Sequence, residues 1–298
     1  MRAIARTAGS RIKKSPLSCG LLFARQHGMP ELPEVETSRR GIEPWIAKQT
    51  ITNVVVRDRR LRWPVERGIE SRLRGASIDS VGRRAKYLLI TTSNGTAIIH
   101  LGMTGSVFIV DRDTPAGVHD HFDIELGSGK TLRFRDPRRF GSFIFSKKPL
   151  EHPLLARLGP EPLGDDFDGE YLWRRSRGRK VSVKQFIMNA QVVVGVGNIY
   201  ASESLFMAGI NPKRAAGRIA RHRYEALAES IREILARSIK AGGTTLRDFY
   251  GGDGEPGYFK QQLEVYDRDG EHCRTCNSII KAIVQGQRTT YYCKNCQT

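Results

Sequence analysis

Tyr87-Leu-Leu-Ile-Thr-Thr92 and Ala97-Ile-Ile-His-Leu101 are two β-rich runs separated by the turn residues Ser93-Asn94-Gly95-Thr96. The same texture extends on both sides. Runs at 51–57, 77–81, 87–92, 97–101, 106–110, 121–126, 131–135 and 142–146 are punctuated by Gly, Asp, Asn and Pro. Eight short runs at this spacing predict an antiparallel sandwich or barrel. One helix is expected ahead of them, with Pro33 in its first turn, Val35 and Ile42 as apolar positions and Pro44 limiting its extent. After Leu158-Gly-Pro-Glu-Pro-Leu-Gly164 the pattern turns helical. Ile219, Tyr224, Leu227, Ile231, Ile234, Leu235 and Ile239 recur at helical steps and Gly242-Gly243 closes the stripe, which is therefore read as core. Residues 244–258 are rich in Gly and Pro and poor in apolar anchors, the composition of a long ligand-facing loop.

The chain has 298 residues, enough for two ordinary domains, and no run reaches the 18 or so apolar residues of a membrane span. Lys and Arg number 49 against 31 Asp and Glu, a net charge of +18. Residues 1–28 hold six of those basic residues and no acid, so 43 against 31 remain on 29–298, a net +12. A body that basic favours a polyanionic partner, because Lys and Arg that neutralise phosphates release condensed counterions. The leader, with its short apolar patch at 21–24, reads as a transit peptide, a poor secretory signal or the product of a start codon placed too far upstream.

Four of the five cysteines form Cys273-x2-Cys276-x16-Cys293-x2-Cys296 at the C-terminus. Two knuckles on paired turns bring four thiolates to one tetrahedral Zn2+ at about 2.3 Å each. The competing reading, two disulfides in a secreted tail, finds no other extracellular feature in the chain. Four thiolates leave no open coordination position, so such an ion folds the ribbon and takes no part in chemistry.

Met29-Pro-Glu-Leu-Pro-Glu-Val-Glu36 carries the most chemical information. If Met29 is removed, Pro30 becomes a free secondary amine. An α-amino group titrates near 7.7–8.0 against about 10.4 for lysine, so roughly a tenth is unprotonated at neutral pH. Such an amine can attack an electrophilic sugar carbon and, after ring opening, form an iminium whose fixed positive charge is an electron sink for elimination next door. Glu31 could protonate a ring oxygen or a departing base, and Glu34 could orient the amine. The plainer alternative is that Pro30 and Pro33 shape a helix start whose dipole favours nearby acids.

The octapeptide resembles the amino terminus of the formamidopyrimidine-DNA glycosylases, bacterial repair enzymes for oxidised purines. Arg83-Arg-Ala-Lys-Tyr-Leu-Leu89, His100-Leu-Gly-Met-Thr-Gly105, Asp136-Pro-Arg-Arg-Phe-Gly141, Val194-Gly-Val-Gly-Asn-Ile-Tyr-Ala-Ser-Glu203 and the cysteine ribbon are similar to further motifs of that family, in its order. The resemblance runs from Met29 to the C-terminus. The related endonuclease VIII group typically begins Pro-Glu-Gly-Pro-Glu, so Leu32 favours the purine branch.

This resemblance implies an α+β protein: a catalytic β-sandwich with an N-terminal helix (29–160), a helical helix-two-turns-helix unit (161–262) and a zinc ribbon (263–298), with DNA in the cleft between them. It implies a bifunctional glycosylase and abasic-site lyase in which Pro30 displaces the damaged base and Glu31 donates a proton. Lys86 matches the lysine credited with phosphate contact and β-elimination; alone it would read as a solvated residue beginning a strand. Arg288 matches the zinc-hairpin arginine that grips phosphates and serves δ-elimination; alone it would be an ordinary turn residue.

Met103, Arg138 and Phe140 match the wedge that fills the stack when a nucleotide is extruded. Without the resemblance, Met103 and Phe140 would read as core, and a buried Arg138–Arg139 pair would be expensive. His119, Lys180 and Asn198 match positions that hold DNA. Asn198 also follows Gly195-Val-Gly197 and opens a helix, where free N–H groups favour a phosphate. A dinucleotide site is rejected because no third glycine and no βαβ unit accompany that segment. Arg174, Arg175, Arg177 and Arg179 would extend the basic track beside Lys180 or form a solvated charge run.

The chain departs from the family pattern in carrying 28 residues ahead of Met29, since an amide-bonded Pro30 has no lone pair to donate. The expected start is Met29, with that methionine removed; processing of a targeting leader to the same bond, with organellar delivery, is the alternative. The expected protein is a monomer acting on oxidised purines in duplex DNA, without a membrane or an obligatory protein partner, in the bacterial cytoplasm at the nucleoid. Two other readings are kept: a non-catalytic zinc-ribbon DNA-binding protein if the leader stays, and an endonuclease VIII-like glycosylase for oxidised pyrimidines.

Overall fold

The computed structural model describes residues 30–243 and 262–298. The leader 1–28 and the whole of the expected loop at 244–258 therefore lie outside the described residues. The first helix, α1, spans Leu32–Ile46 and buries Leu32, Val35, Ile42 and Ile46. Pro33 lies in its first turn as expected, but Pro44 sits inside the helix rather than ending it. A proline there removes a single N–H near the C-terminal end, and the turn still closes through Ala47 N–H to the Glu43 carbonyl at 3.0 Å.

Eight strands follow: β1 (Ile51–Val56), β2 (Ile78–Arg84), β3 (Tyr87–Thr92), β4 (Gly95–His100), β5 (Ser106–Asp111), β6 (Asp120–Leu126), β7 (Lys130–Arg135) and β8 (Ser142–Ser146), with a short helix α2 (Ile69–Leu73) after β1. They form two four-stranded sheets, β1-β6-β7-β5 and β2-β3-β4-β8, antiparallel at every pairing given. The barrel alternative is thereby resolved as a sandwich. Phe122 of one sheet stacks on Phe143 of the other with ring centroids 4.0 Å apart, inside an apolar core that includes Val35, Ile42, Leu88, Ile99 and Phe134. β2 runs three residues past the apolar run that predicts it, because the polar Arg83 and Arg84 pair with Leu88 and Tyr87 of β3.

The helical unit holds α3 (Gly169–Ser176), α4 (Val183–Ile187), α5 (Asn198–Met207) and α6 (Arg221–Lys240) around a second core that includes Phe186, Ile199, Tyr224, Leu227 and Ile231. The expected α6 stripe is buried apart from the half-buried Ile239, and Gly242 and Gly243 both have positive φ, but Ile219 fills the core from the turn ahead of the helix. A hairpin of β9 (Lys281–Gln285) and β10 (Arg288–Tyr292) ends the chain. Its two-residue turn, Gly286-Gln287, has positive φ at both positions (54° and 60°), which matches the twist of the flanking strands.

Among the described residues no helix is long and apolar enough to cross a membrane. The four cysteine sulfurs lie within 4.8 Å of one another. Cys273 and Cys296 are 3.9 Å apart and Cys276 and Cys293 3.4 Å, too far for disulfides and close to the edge of about 3.8 Å that 2.3 Å bonds give a tetrahedron. The residues present fit one structural Zn2+.

Candidate active site

The two units meet at the start of α1. The Glu31 carboxylate accepts the backbone N–H groups of Gly197 (2.6 Å) and Ile199 (3.0 Å) at the N-terminus of α5. This places an acid where the helix has unsatisfied donors and positive dipole. Only glycine allows the approach, because a Cβ on residue 197 would lie 2.2 Å from the Glu31 carboxyl carbon. Two of the N–H groups at this helix start, those of Gly197 and Ile199, are thus taken by Glu31.

Behind Glu31, the Glu34 carboxylate accepts the Glu31 backbone N–H (2.9 Å) and the Tyr200 hydroxyl (2.7 Å), and Tyr200 meets Ser238 of α6 at 2.6 Å. Pro30, which precedes the N-cap residue Glu31 of α1, is buried. One wall of charge-bearing residues thus draws on α1, α5 and α6.

Glu31, Lys86, Met103, Asn198 and Arg288 line one cavity of about 260 Å3, with Gln185, Met188, Asn189, Val196, Gly197, Tyr266, Gln285 and Gly286 completing its wall. Lys86 reaches it from the two-residue β2–β3 turn, not from the start of a strand, and Ala85 beside it has φ 54°. That turn is pinned by Glu161, whose carboxylate receives Arg83 (2.8 Å), Arg84 (2.8 Å) and the Ala85 N–H (2.7 Å). Burial pushes the Glu31 carboxyl above its ordinary value, against the pull of Lys86. Burial likewise lowers the Lys86 ammonium, with Arg288 adding to the effect and Glu31 and Glu34 opposing it. Burial thus works against the charged form of both the acid and the amine.

Arg288 is exposed at the first position of β10, and the hairpin that carries it is tied into the helical unit by a buried lysine. Lys184 Nζ donates to Asn198 Oδ1 (2.6 Å), Thr290 Oγ1 (2.8 Å) and the Thr289 carbonyl (3.3 Å), while Asn198 Nδ2 donates to that same carbonyl (2.9 Å). Burial pushes the Lys184 pKa down to about 7. Asn198 is thus a strut between α5 and the ribbon as well as part of the wall.

Met103 is half-buried and Phe140 is 40% exposed, so neither is a core residue. Gly102, at φ 68°, lets the Met103 loop lie against the Phe140 backbone, where a Cβ would fall 2.4 Å from a carbonyl carbon. Arg138 is exposed and stacks on the Phe140 ring at 4.9 Å. Arg139 instead reaches Asp58 at 3.0 Å, so the expected cost of burying a pair of arginines does not arise.

The buried Asp136 joins these loops. Its carboxylate accepts from Thr104 Oγ1 (2.6 Å) and the Gly141 N–H (2.8 Å), and its own N–H donates to the His119 carbonyl (3.0 Å). His119 and Lys180 are exposed and stand outside the cavity wall, His119 on the loop before β6 and Lys180 between α3 and α4.

Comparison with known proteins agrees with this architecture. The models described as "Formamidopyrimidine-DNA glycosylase N-terminal domain", "Formamidopyrimidine-DNA glycosylase H2TH domain" and "Zinc finger found in FPG and IleRS" match residues 29–143, 158–250 and 270–298. The formamidopyrimidine-DNA glycosylase of Stutzerimonas stutzeri is 61% identical over 269 residues, 90% of this chain and 100% of that protein. The chain belongs to the formamidopyrimidine-DNA glycosylase family.

A Pseudomonas aeruginosa formamidopyrimidine-DNA glycosylase is 58% identical with the same coverage. Among solved structures, Lactococcus lactis Fpg in complex with abasic-site DNA superposes with TM-score 0.82 at 32% identity, covering 90% of this chain and 99% of that one. MutM (Fpg) of Thermus thermophilus gives 0.80 at 37% identity, covering 90% and 98%.

Sequence reading missed several residues that hold the wall of this glycosylase's cavity in place from behind. Lys184, Asp136 and Tyr200 look like ordinary polar positions, and only tertiary contacts reveal what they hold. His100, at the end of β4, is a further residue whose part only the structure shows. Its Nδ1 accepts the Gly102 N–H at 2.9 Å, and burial pushes its pKa down to about 4, so it is neutral near pH 7 with the proton on Nε2.

Proposed function

We propose that this family member is a base-excision repair DNA glycosylase and abasic-site lyase that takes oxidised purines from duplex DNA through an iminium on Pro30. The observation that carries the reading is that the buried Glu31, its carboxyl pKa raised by burial, lines one cavity with Lys86 and Arg288 and directly follows Pro30 in the chain. The Pro30 nitrogen attacks the deoxyribose C1′, and the bond from C1′ to the base breaks as Glu31 supplies a proton. Ring opening yields the iminium. Loss of a C2′ proton then expels the 3′ phosphate, and a second elimination expels the 5′ phosphate.

Lys86 serves phosphate contact and β-elimination, and Arg288 phosphate contact and δ-elimination. Glu34 orients the amine. Met103, Arg138 and Phe140 fill the vacated stack, supported by their exposure and their shared tie to Asp136. His119, Lys180 and Asn198 hold the duplex. The units at 29–160, 161–262 and 263–298 act together as a monomer, and a DNA substrate places the protein in the bacterial cytoplasm.

This chemistry requires a free Pro30 nitrogen. Borohydride should trap a covalent complex between lesion-bearing duplex and a chain beginning at Pro30, and none with the intact 298-residue chain. Trapping by the intact, unprocessed chain would refute the reading.

A further inference from the structure

A second set of buried charges lies in the β1-β6-β7-β5 sheet, away from the cavity. Asp120 and Asp123 are three residues apart on β6, a spacing that would point them to opposite faces of a regular strand. A bulge at His121 restores them to register, so that Asp120 stands opposite Arg135 and Asp123 opposite Arg133, with Phe122 opposite Phe134 between them. Arg133 is 2% exposed, Asp120 2% and Asp123 3%. Arg133 makes a two-point contact with Asp123 at 2.9 Å, and Arg57 reaches the same carboxylate at 2.6 Å. Arg135 donates to Asp120 at 2.7 Å and 3.1 Å.

The remaining bonds go to the loop between β5 and β6. Arg133 donates to the Thr114 carbonyl (2.9 Å) and the Pro115 carbonyl (3.0 Å), and Asp120 accepts the Gly117 N–H (2.7 Å). The tip of that loop projects from the fold, with Val118 90% exposed and His119 exposed beside it. Well-packed apolar residues could hold the two strands together at least as well as a buried ion cluster does. They could not bind two backbone carbonyls and an N–H, which is the cluster's distinct contribution.

We propose that the Arg133–Asp120–Asp123 cluster is a positioning device that fixes the 112–119 loop so that His119 meets the DNA backbone. The proposal rests on the reading of His119 as a DNA contact. Arg133, Asp120 and Asp123 touch no DNA themselves; they act through the loop.

The test is a double-mutant cycle on duplex containing a stable abasic analogue, with affinity measured by fluorescence anisotropy, excision kinetics under saturating DNA, and melting temperature recorded for each protein. Asp120→Asn, which keeps the shape of the side chain, should weaken binding about fivefold and raise KM, with kcat unchanged. The same substitution in a His119→Ala background should have no further effect on affinity. Arg133→Lys should restore most of what Arg133→Met loses, because an ammonium still reaches the loop carbonyls. If His119→Ala binds as tightly as the unsubstituted protein, the reading of His119 fails and the proposal with it. If His119→Ala weakens binding but Asp120→Asn adds its full effect on top, or lowers kcat and melting temperature without changing KM, the positioning role is overturned while the reading of His119 stands.

Discussion

Glu31 meets two opposing demands at one carboxyl group: it accepts two backbone N–H groups, which favour the charged form, yet burial raises its pKa all the same. The raised pKa favours the protonated form, which is the form the proposed proton donor needs. Glu31→Gln keeps an acceptor for the α5 donors and removes the proton, so base excision should fall by about 10²–10⁴-fold with the fold intact, measured by single-turnover release of the lesion.

Lys184 gives a prediction of opposite character. Its pKa is about 7 in the fold and near 10.5 unfolded, so between those values the unfolded chain binds more protons and this group makes stability rise with pH. Lys184→Met should leave the Asn198 Oδ1 and Thr290 Oγ1 acceptors without the lysine donor, costing about 1–3 kcal/mol. It should also flatten the slope of urea-derived stability between pH 7 and 10. Neither lysine's environment is written locally: Lys86 and Lys184 look alike in the sequence, and only the packing of distant segments on each distinguishes them from solvated surface lysines.

At the scale of elements, the strands were largely legible because alternation and turn residues are local properties. The run at 87–92 coincides with β3 and that at 142–146 with β8. The misreadings have nonlocal causes. β2 extends through Gly82-Arg83-Arg84 because β3 and Glu161 accept that polar segment, and α1 passes Pro44 because one absent donor near a helix end is tolerated.

The ribbon was readable from cysteine spacing alone, whereas its attachment was not. Gln297 donates to the Ile210 carbonyl at 2.9 Å and accepts the Cys293 N–H at 2.8 Å, binding the terminal knuckle to the end of α5. Chelation of Zn2+ should therefore melt the hairpin and detach Arg288 from the cavity while the sandwich keeps its own thermal transition. Calorimetry with and without chelator should show one transition preserved, and a gel assay should show strand cleavage lost.

For the whole molecule, the decisive geometry is the meeting of units. Glu161, in the segment between them, holds Arg83, Arg84 and the Ala85 N–H, and so fixes the turn that delivers Lys86 to a cavity whose wall also draws on the helical unit and the ribbon. Although burial alone would raise its pKa, the arginines keep this carboxylate below the ordinary value. Its contribution is thus present above the unfolded pKa and lost on acidification. Glu161→Gln should lower stability by about 1.5–3 kcal/mol, measured by denaturant titration at pH 7, with a smaller difference at pH 4.

The cavity is closed by residues from opposite ends of the polypeptide, Glu31 near its beginning and Arg288 ten positions from its end. During synthesis the first of these emerges early and waits for the last. A chain cut short before the final hairpin would lack Gln285, Gly286 and Arg288, and with them one side of the cavity.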